Sequence, residues 1–264
     1  MIKTFKRFCL GAILATTCVF STQAIAEGKT LVVGCEGAFA PFTYIGDDGN
    51  ITGFDIDFIK ELSKEMGYEH TKINVMPFDG LIPSLMMGNI DLIISGFTIS
   101  EERAKKVDFS DPYYLCGMSY VIKKEDAKTY DSYEKLNGKD LCTQLAATGT
   151  NFAQKFLKDS KLKIFNTPPE TYIELSNGSC VAAIHDKPVN DFFLTKDTSG
   201  KFTSIQIKQH IDKEYYGIAV QKGNKDLLNK INATLKTMAV NGEFEKISLK
   251  WFGNNILDTL NEVE

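Results

Sequence analysis

The chain has 264 residues, 34 acidic and 30 basic, for a formal net charge of −4. That length holds one large or two small domains, and the acidic balance gives no general attraction for nucleic acid or anionic lipid. Three histidines and six cysteines, none of them in a close C-x-x-C pair, give no zinc-site spacing, and nothing in the sequence asks for a metal or a cofactor.

Residues 1–26 differ from the rest. Lys3, Lys6 and Arg7 make a positive start, Phe8 to Phe20 is mostly apolar, and Ala24-Ile25-Ala26 is a small-x-small cleavage site. The apolar run is short and interrupted by Thr16 and Thr17, so a cleaved signal peptide is expected rather than a membrane span. Lipidation at Cys18 is disfavoured, because Ala15-Thr16-Thr17 lacks the usual large aliphatic residue three positions upstream. Losing three cations takes the charge from −4 to −7 and leaves four cysteines: Cys35, Cys116, Cys142 and Cys180. Four cysteines allow three pairings in an oxidising compartment. Cys142 and Cys180 fall on what read as neighbouring strands and are the first pair expected. The other reading is that all four are small buried apolar residues.

The rest of the sequence alternates short apolar runs with amphipathic stretches, which signals parallel strands joined by crossover helices. Thr30 to Cys35 is predicted as a strand. Phe54, Phe58, Leu62 and Met66 share one helix face, and Gly67 stands where a left-handed residue stops a helix. Lys72 to Met76 follows as a strand, Leu81 to Met87 as a short helix and Ile90 to Ser95 as a third strand. Residues 30–110 thus make one β-α-β-α-β unit, and Tyr113 to Lys123 is a long extended crossing. A second unit runs through strand Asp140 to Gln144, helix Asn151 to Leu157, strand Lys163 to Asn166, helix Thr171 to Ser176 and strand Cys180 to Ile184. Tyr215 to Gln221 is a second crossing, and a helix over Leu227 to Ala239 leads to the C terminus. The fold class expected is therefore α/β, with two doubly wound lobes joined by two crossover strands. Residues 27–114 and 217–264 form lobe 1, and residues 115–216 form an inserted lobe 2. Open α/β sheets bind ligands beyond the carboxyl ends of their strands, so the chemistry is sought there.

In lobe 1 the first strand ends at Cys35-Glu36-Gly37-Ala38-Phe39, and the third at Ser95-Gly96-Phe97-Thr98-Ile99-Ser100-Glu101-Glu102-Arg103. Thr98 with Glu101 reads as a capping box that starts a helix. Free amides there, with Arg103 one turn in, suit a carboxylate; the plainer reading of a Glu-Glu-Arg run is a solvated helix face. In lobe 2 the first strand ends at Gln144-Leu145-Ala146-Ala147-Thr148-Gly149-Thr150, small residues that let backbone amides approach an anion. The third ends at His185-Asp186, where Asp186 either receives an ammonium group or caps a helix opened by Pro188. Arg103 and Asp186 on opposite lobes describe a receptor for a zwitterion, which would favour the closed cleft.

Several stretches in order carry a family resemblance: Pro41-Phe42, Gly53-Phe54-Asp55-Ile56-Asp57, Phe78-Asp79-Gly80-Leu81-Ile82-Pro83-Ser84-Leu85, Thr98 to Arg103, Asp108-Phe109-Ser110-Asp111-Pro112-Tyr113-Tyr114 and Trp251-Phe252-Gly253. Over essentially all of residues 27–264 the chain resembles the periplasmic polar amino-acid-binding proteins of ABC importers. The resemblance implies the type II periplasmic-binding-protein fold, a periplasmic monomer, an amino-acid ligand, a permease partner in the inner membrane and no cofactor. It makes Arg103 the carboxylate ligand and Asp186 an ammonium ligand. Phe39 and Phe78 resemble the two aromatic walls around the ligand side chain, although both also read as core phenylalanines. Ser95, Gly96 and Thr98 resemble the loop that takes the ammonium and part of the carboxylate, and Thr148 resembles the lobe-2 residue that completes carboxylate binding. Ala146-Ala147 departs from the usual Gly-Thr or Gly-Ser, which removes one hydroxyl and puts the loop shape in question.

Glu36 and Gln144 are expected to set specificity. An acid between aromatic walls pairs well with a guanidinium or ammonium. Arginine is therefore the first expectation, then lysine or ornithine, then glutamine, because Ile184-His185-Asp186 also resembles glutamine binders. An enzyme on the same fold is the rival class: periplasmic dehydratases acting on prephenate-like acids are similar over much of the chain, with Glu36 or His185 as acid or base. No nucleophile elbow, P-loop or histidine pairing at motif spacing accompanies that reading, and a non-enzymatic binding protein is expected.

Overall fold

The computed structural model describes residues 29–209 and 214–261. The expected signal peptide, Cys18 and His210 lie outside the described residues. The chain opens with β1 (Thr30–Cys35) and a small flap of β2 (Ala38–Phe39), β3 (Thr43–Ile45) and β4 (Ile51–Thr52). It continues through α1 (Phe54–Glu65), β5 (His70–Val75), α2 (Leu81–Met86), β6 (Leu92–Ile93), α3 (Glu101–Ala104) and β7 (Val107–Phe109). The first crossing is β8 (Tyr114–Leu115), after which come β9 (Met118–Lys123), β10 (Asp140–Gln144), α4 (Thr148–Phe156) and β11 (Lys161–Phe165). Then follow α5 (Pro168–Ser176), β12 (Ala182–Asp186), α6 (Lys187–Lys196) and β13 (Phe202–Ile207). The chain returns through β14 (Tyr215–Tyr216) and β15 (Ala219–Gln221), and ends in α7 (Lys225–Asn241), α8 (Glu243–Phe252) and α9 (Ile256–Asn261).

Two five-stranded sheets result, in the orders β5-β1-β6-β15-β7 and β11-β10-β12-β9-β13. Each places its first strand between the second and third, all parallel, with an antiparallel crossing strand beside the third. The strand order, not the strand direction, reverses at β1 and at β10, which opens a crevice at their carboxyl ends, and the two crevices face each other. Leu31 and Val33 are buried on one face of β1, where α1, α7 and α8 pack, while Val32 joins the cluster around Leu81 and Leu85 of α2 on the other. Burial on both faces is why β1 is an unbroken apolar run rather than an alternating one.

The first crossing is not one long strand. Gly117 adopts φ 62 and breaks it between β8 and β9, and β8 pairs with β14 as a separate two-stranded ribbon. Helix α1 stops where expected, with Gly67 at φ 76. Cys142 on β10 and Cys180 before β12 form a disulfide, while Cys35 and Cys116 are free and buried. The pair expected first is the one formed, and the reading of all four as unpaired buried residues fails at Cys142 and Cys180. Among the described residues no helix is long and apolar enough to cross a membrane.

Candidate functional site

Arg103 lies on the four-residue helix α3, whose N-cap is Ser100; the Ser100 hydroxyl accepts from the Arg103 amide at 3.3 Å. The helix start expected at Thr98 lies two residues later, at Ser100, and the expected capping box is not formed, because the residue at N3 is Arg103 rather than an acid or amide. Thr98 is instead bridged to Tyr216, and its carbonyl accepts from Arg103 Nη1 at 2.9 Å, so it cannot start the helix. Nor is Arg103 on a solvated face. It is 8% exposed, its guanidinium carbon lies 4.3 Å from the Phe97 ring centroid and 5.2 Å from that of Phe78, and Nη2 donates across the cleft to the Ala146 carbonyl at 3.1 Å. Burial lowers its pKa to about 10, against the charges of Asp186, Glu214 and Glu102, so it remains a cation at neutral pH.

Ala146 reaches that position with φ 60, the left-handed region where a glycine is usual. Its carbonyl holds the arginine, and Ala147 then serves as N-cap to α4, which begins at Thr148. The backbone at Ala146 is therefore glycine-like, and neither Ala146 nor Ala147 brings a hydroxyl to the loop.

Asp186 stands at the N-cap position of α6 but makes no side-chain capping bond. Its Oδ2 accepts from the Tyr216 hydroxyl at 2.6 Å and its Oδ1 from the Thr148 hydroxyl at 3.4 Å. Asp186 thus holds the N-cap position of α6 while its side chain turns to Tyr216 and Thr148. Nearby is Glu214, a residue the sequence reading passed over. Its Oε2 is enclosed and has no hydrogen-bond partner among the described residues. Burial raises Asp186, and burial plus the charge of Asp186 raises Glu214 to about 8. Both carboxyls thus keep a proton to higher pH than a free acid, beside one guanidinium whose charge opposes that.

A second charged locus sits at the end of β1. Glu36 is 2% exposed, its amide donates to the Ser95 hydroxyl at 2.9 Å, and Ser95 in turn contacts Thr43 at 3.3 Å. From lobe 2, Gln144 Nε2 donates to Glu36 Oε1 at 2.8 Å and to the Asn166 carbonyl at 3.0 Å. Glu36 Oε2 is buried without a partner. Burial raises Glu36 to about 7, opposed only by the bond from Gln144, and Glu36 is not among the carboxylates acting on Arg103. Behind this locus the fully buried Asp55 accepts from the Gly96 amide at 2.6 Å and the Tyr113 hydroxyl at 3.0 Å, and so fixes the Ser95-Gly96 turn. Gly96 has φ 52, and a Cβ there would stand 2.4 Å from the Phe39 ring. Only glycine lets that ring close the site.

Phe39, Phe78, Gly96, Thr98, Arg103, Gln144, Thr148 and Asp186 converge, together with Ala147 and His185, on one nearly closed cavity of about 10 Å³ between the lobes, so a ligand enters only when the lobes part. Glu36 joins it through Gln144, and Ser95 through Glu36. Phe78 belongs to a core cluster as well as to this lining, so its two readings coincide. His185 is held by Thr171, Nε2 to Oγ1 at 2.7 Å, and burial drops its pKa to about 3. It is a neutral ring tied to lobe 2, not a poised base. Larger grooves exist, such as the apolar one of about 360 Å³ between Ala38 and Ala40 on one lobe and Pro168, Ile173 and Phe192 on the other. It gathers no group able to pair with a charge except Lys196, whereas the small cavity gathers charges of both signs. The small cavity is the better site for a polar molecule. Among the described residues no cluster of three His, Cys, Asp or Glu could hold a metal.

Residues 31–254 match the bacterial extracellular solute-binding proteins, family 3. The chain belongs to this family. The ABC transporter arginine-binding protein 1 of Escherichia coli (strain K12) is 35% identical over 252 residues, covering 94% of this chain and 99% of that protein. The L-cystine-binding protein TcyJ of the same organism is 32% identical over 232 residues, 88% of this chain and 86% of that one. Among solved structures, an ancestral arginine-binding protein bound to glutamine superposes with a TM-score of 0.80 at 39% identity, covering 85% of this chain and 98% of the other. An ancestral amino acid-binding protein described as a precursor of cyclohexadienyl dehydratase gives 0.78 at 35% identity, covering 84% and 95%. This solute-binding protein therefore has the two-lobed fold of type II periplasmic binding proteins and belongs with the amino-acid binders of ABC systems.

Proposed function

We propose that this protein captures an L-amino acid with a cationic side chain, arginine first and then lysine or ornithine, and hands it to the inner-membrane permease of an ABC importer. In this reading it works in the periplasm, as a monomer, after residues 1–26 are removed. Arg103 takes the α-carboxylate with the Thr98 and Thr148 amides, Asp186 takes the α-ammonium with groups of the Ser95-Gly96 turn, and Phe39 and Phe78 flank the side chain. The observation that carries the choice of side chain is Glu36, whose enclosed Oε2 has no hydrogen-bond partner and no cation acting on it among the described residues. A guanidinium or ammonium supplies both the missing donor and the missing charge. The relatives named as arginine-binding support the same choice.

Glutamine is the second reading. It draws on the raised pKa of Glu36, which at neutral pH leaves part of the population as a neutral acid able to meet an amide, and on the ancestral neighbour bound to glutamine. The test is a thermal-shift screen of the refolded mature chain against the twenty L-amino acids, ornithine, citrulline, cystine and prephenate. Refolding strips any ligand carried through purification. A ligand at a hundredfold excess over Kd adds about 2.7 kcal/mol to the folded state. The proposal expects the largest shift from arginine. Shifts confined to glutamine or cystine would keep amino-acid capture and overturn the cationic preference, and a response to prephenate alone, with its consumption, would move the reading to an enzyme.

A further inference from the structure

We propose that Glu36 gives up a proton when a cationic side chain enters the cleft, so that pH sets the choice between cationic and neutral ligands. The inference rests on the amino-acid-binding reading and concerns the distal end of the same cavity. Its basis is geometric. Glu36 is sealed, one carboxyl oxygen accepts from an uncharged amide, and the other has no partner among the described residues.

Among the described residues the surroundings supply no counter-charge. Cys35, a free buried thiol, precedes Glu36 on β1, and Val75 of β5 and Ile45 of β3 flank the following Gly37. The Ser95 hydroxyl after β6 and the Thr43 hydroxyl of β3 are neutral. Asp55, from α1, lies behind the Ser95-Gly96 turn and is itself a buried acid whose pKa is raised to about 7. From lobe 2 come Gln144 and, through it, the Asn166 carbonyl. Arg103 spends its charge on Asp186, Glu214 and Glu102. A buried carboxyl with no cation beside it favours its neutral form, and here burial brings the pKa to about 7.

A guanidinium or ammonium reverses that balance. The O–H bond of the Glu36 carboxyl breaks, the proton leaves to solvent, and the carboxylate pairs with the incoming cation, so the filled cleft has the net charge of the empty one. A neutral side chain of the same shape brings no charge and needs no such exchange. The α-ammonium meets Asp186 and Glu214 whichever amino acid binds, so proton movements at that pair cancel when two ligands are compared.

Arginine and its neutral isostere citrulline are the probes. In calorimetric titrations of the refolded protein at pH 7, run in phosphate and in Tris, arginine is expected to release about half a proton more than citrulline. The ratio of arginine to citrulline affinity is expected to rise about tenfold from pH 6 to pH 8, one decade for the passage through a pKa near 7. In Glu36→Gln the excess proton disappears and the ratio no longer depends on pH; if that variant does not fold, the two-buffer comparison on the unchanged chain decides alone. Equal proton release by the two ligands, a constant ratio, or no binding of citrulline at either pH would overturn the inference with amino-acid capture intact. Failure of every amino acid to bind would remove the underlying reading as well.

Discussion

Replacing Arg103 by alanine acts on the group that this account makes common to every ligand. Its guanidinium is buried, is held in place by the carbonyls of Thr98 and Ala146, and rests on the rings of Phe97 and Phe78. Truncating one partner of a buried charge pair costs about 2–5 kcal/mol, which at 1.4 kcal/mol per decade is a loss of roughly 30- to 4,000-fold in affinity. The upper part of that range is expected. The Ala146 carbonyl loses a cross-lobe donor that helps hold the lobes together, and Asp186 and Glu214 lose the cation that opposes their protonation. They then hold protons more tightly and accept the α-ammonium less well. Isothermal titration with arginine, lysine and glutamine should show all three falling together, because the α-carboxylate is shared. Arg103→Lys should fall less, since it keeps the charge and loses the fork. Circular dichroism at the same temperature checks that the variant is folded. A folded Arg103→Ala protein binding any of the three at its original affinity would refute the assignment of the α-carboxylate to this residue.

Other outcomes follow from the same structure. Reducing the Cys142–Cys180 bridge, which spans 38 residues, should lower stability in urea by about 4 kcal/mol, with no effect of reductant expected in the double alanine variant. Gly96→Ala should weaken every ligand at least tenfold by calorimetry, because the new methyl meets the Phe39 ring at 2.4 Å and moves a wall of the cavity; unchanged affinity would mean that Phe39 does not touch the ligand. Glu36, Asp55, Asp186 and Glu214 all have folded-state pKa values raised above their unfolded ones, so their protonated forms favour folding. The ligand-free protein should therefore lose stability as pH rises through 6 to 8, with a shallower slope in Asp55→Asn; a melting temperature that climbs over that interval would contradict the burial of these acids.

The parts of the fold legible in the sequence are those with enough residues to show a period. β1 and β10 match their predicted limits, and α1 ends at the predicted glycine, because apolar spacing and a left-handed stop both mark them. The two-residue strands β2, β4, β8 and β14 are too short to show alternation. Helix α6 was legible only as one of two alternatives, because its cap-and-proline signature at Asp186-Lys187-Pro188 competed with a ligand role for the same aspartate. In the site, residues at strand ends were legible because the topology places strand ends at the cleft. Glu214 was not, because it sits on a crossing whose sequence carries no periodic or motif signal. Asp55 was read only as part of a motif, and its hold on the Gly96 amide depends on a contact 41 residues away. The Asn166 carbonyl that orients Gln144 is backbone, which no side-chain pattern reveals.

The central claim, capture of a cationic amino acid, is tested most directly by competition. The refolded mature chain would be mixed at pH 8 with equimolar amounts of the twenty L-amino acids, ornithine, citrulline and cystine, and the complex read by native mass spectrometry. The account predicts one dominant adduct with the mass of arginine. A dominant adduct of a neutral amino acid at that pH, where Glu36 is mostly ionised, would contradict it.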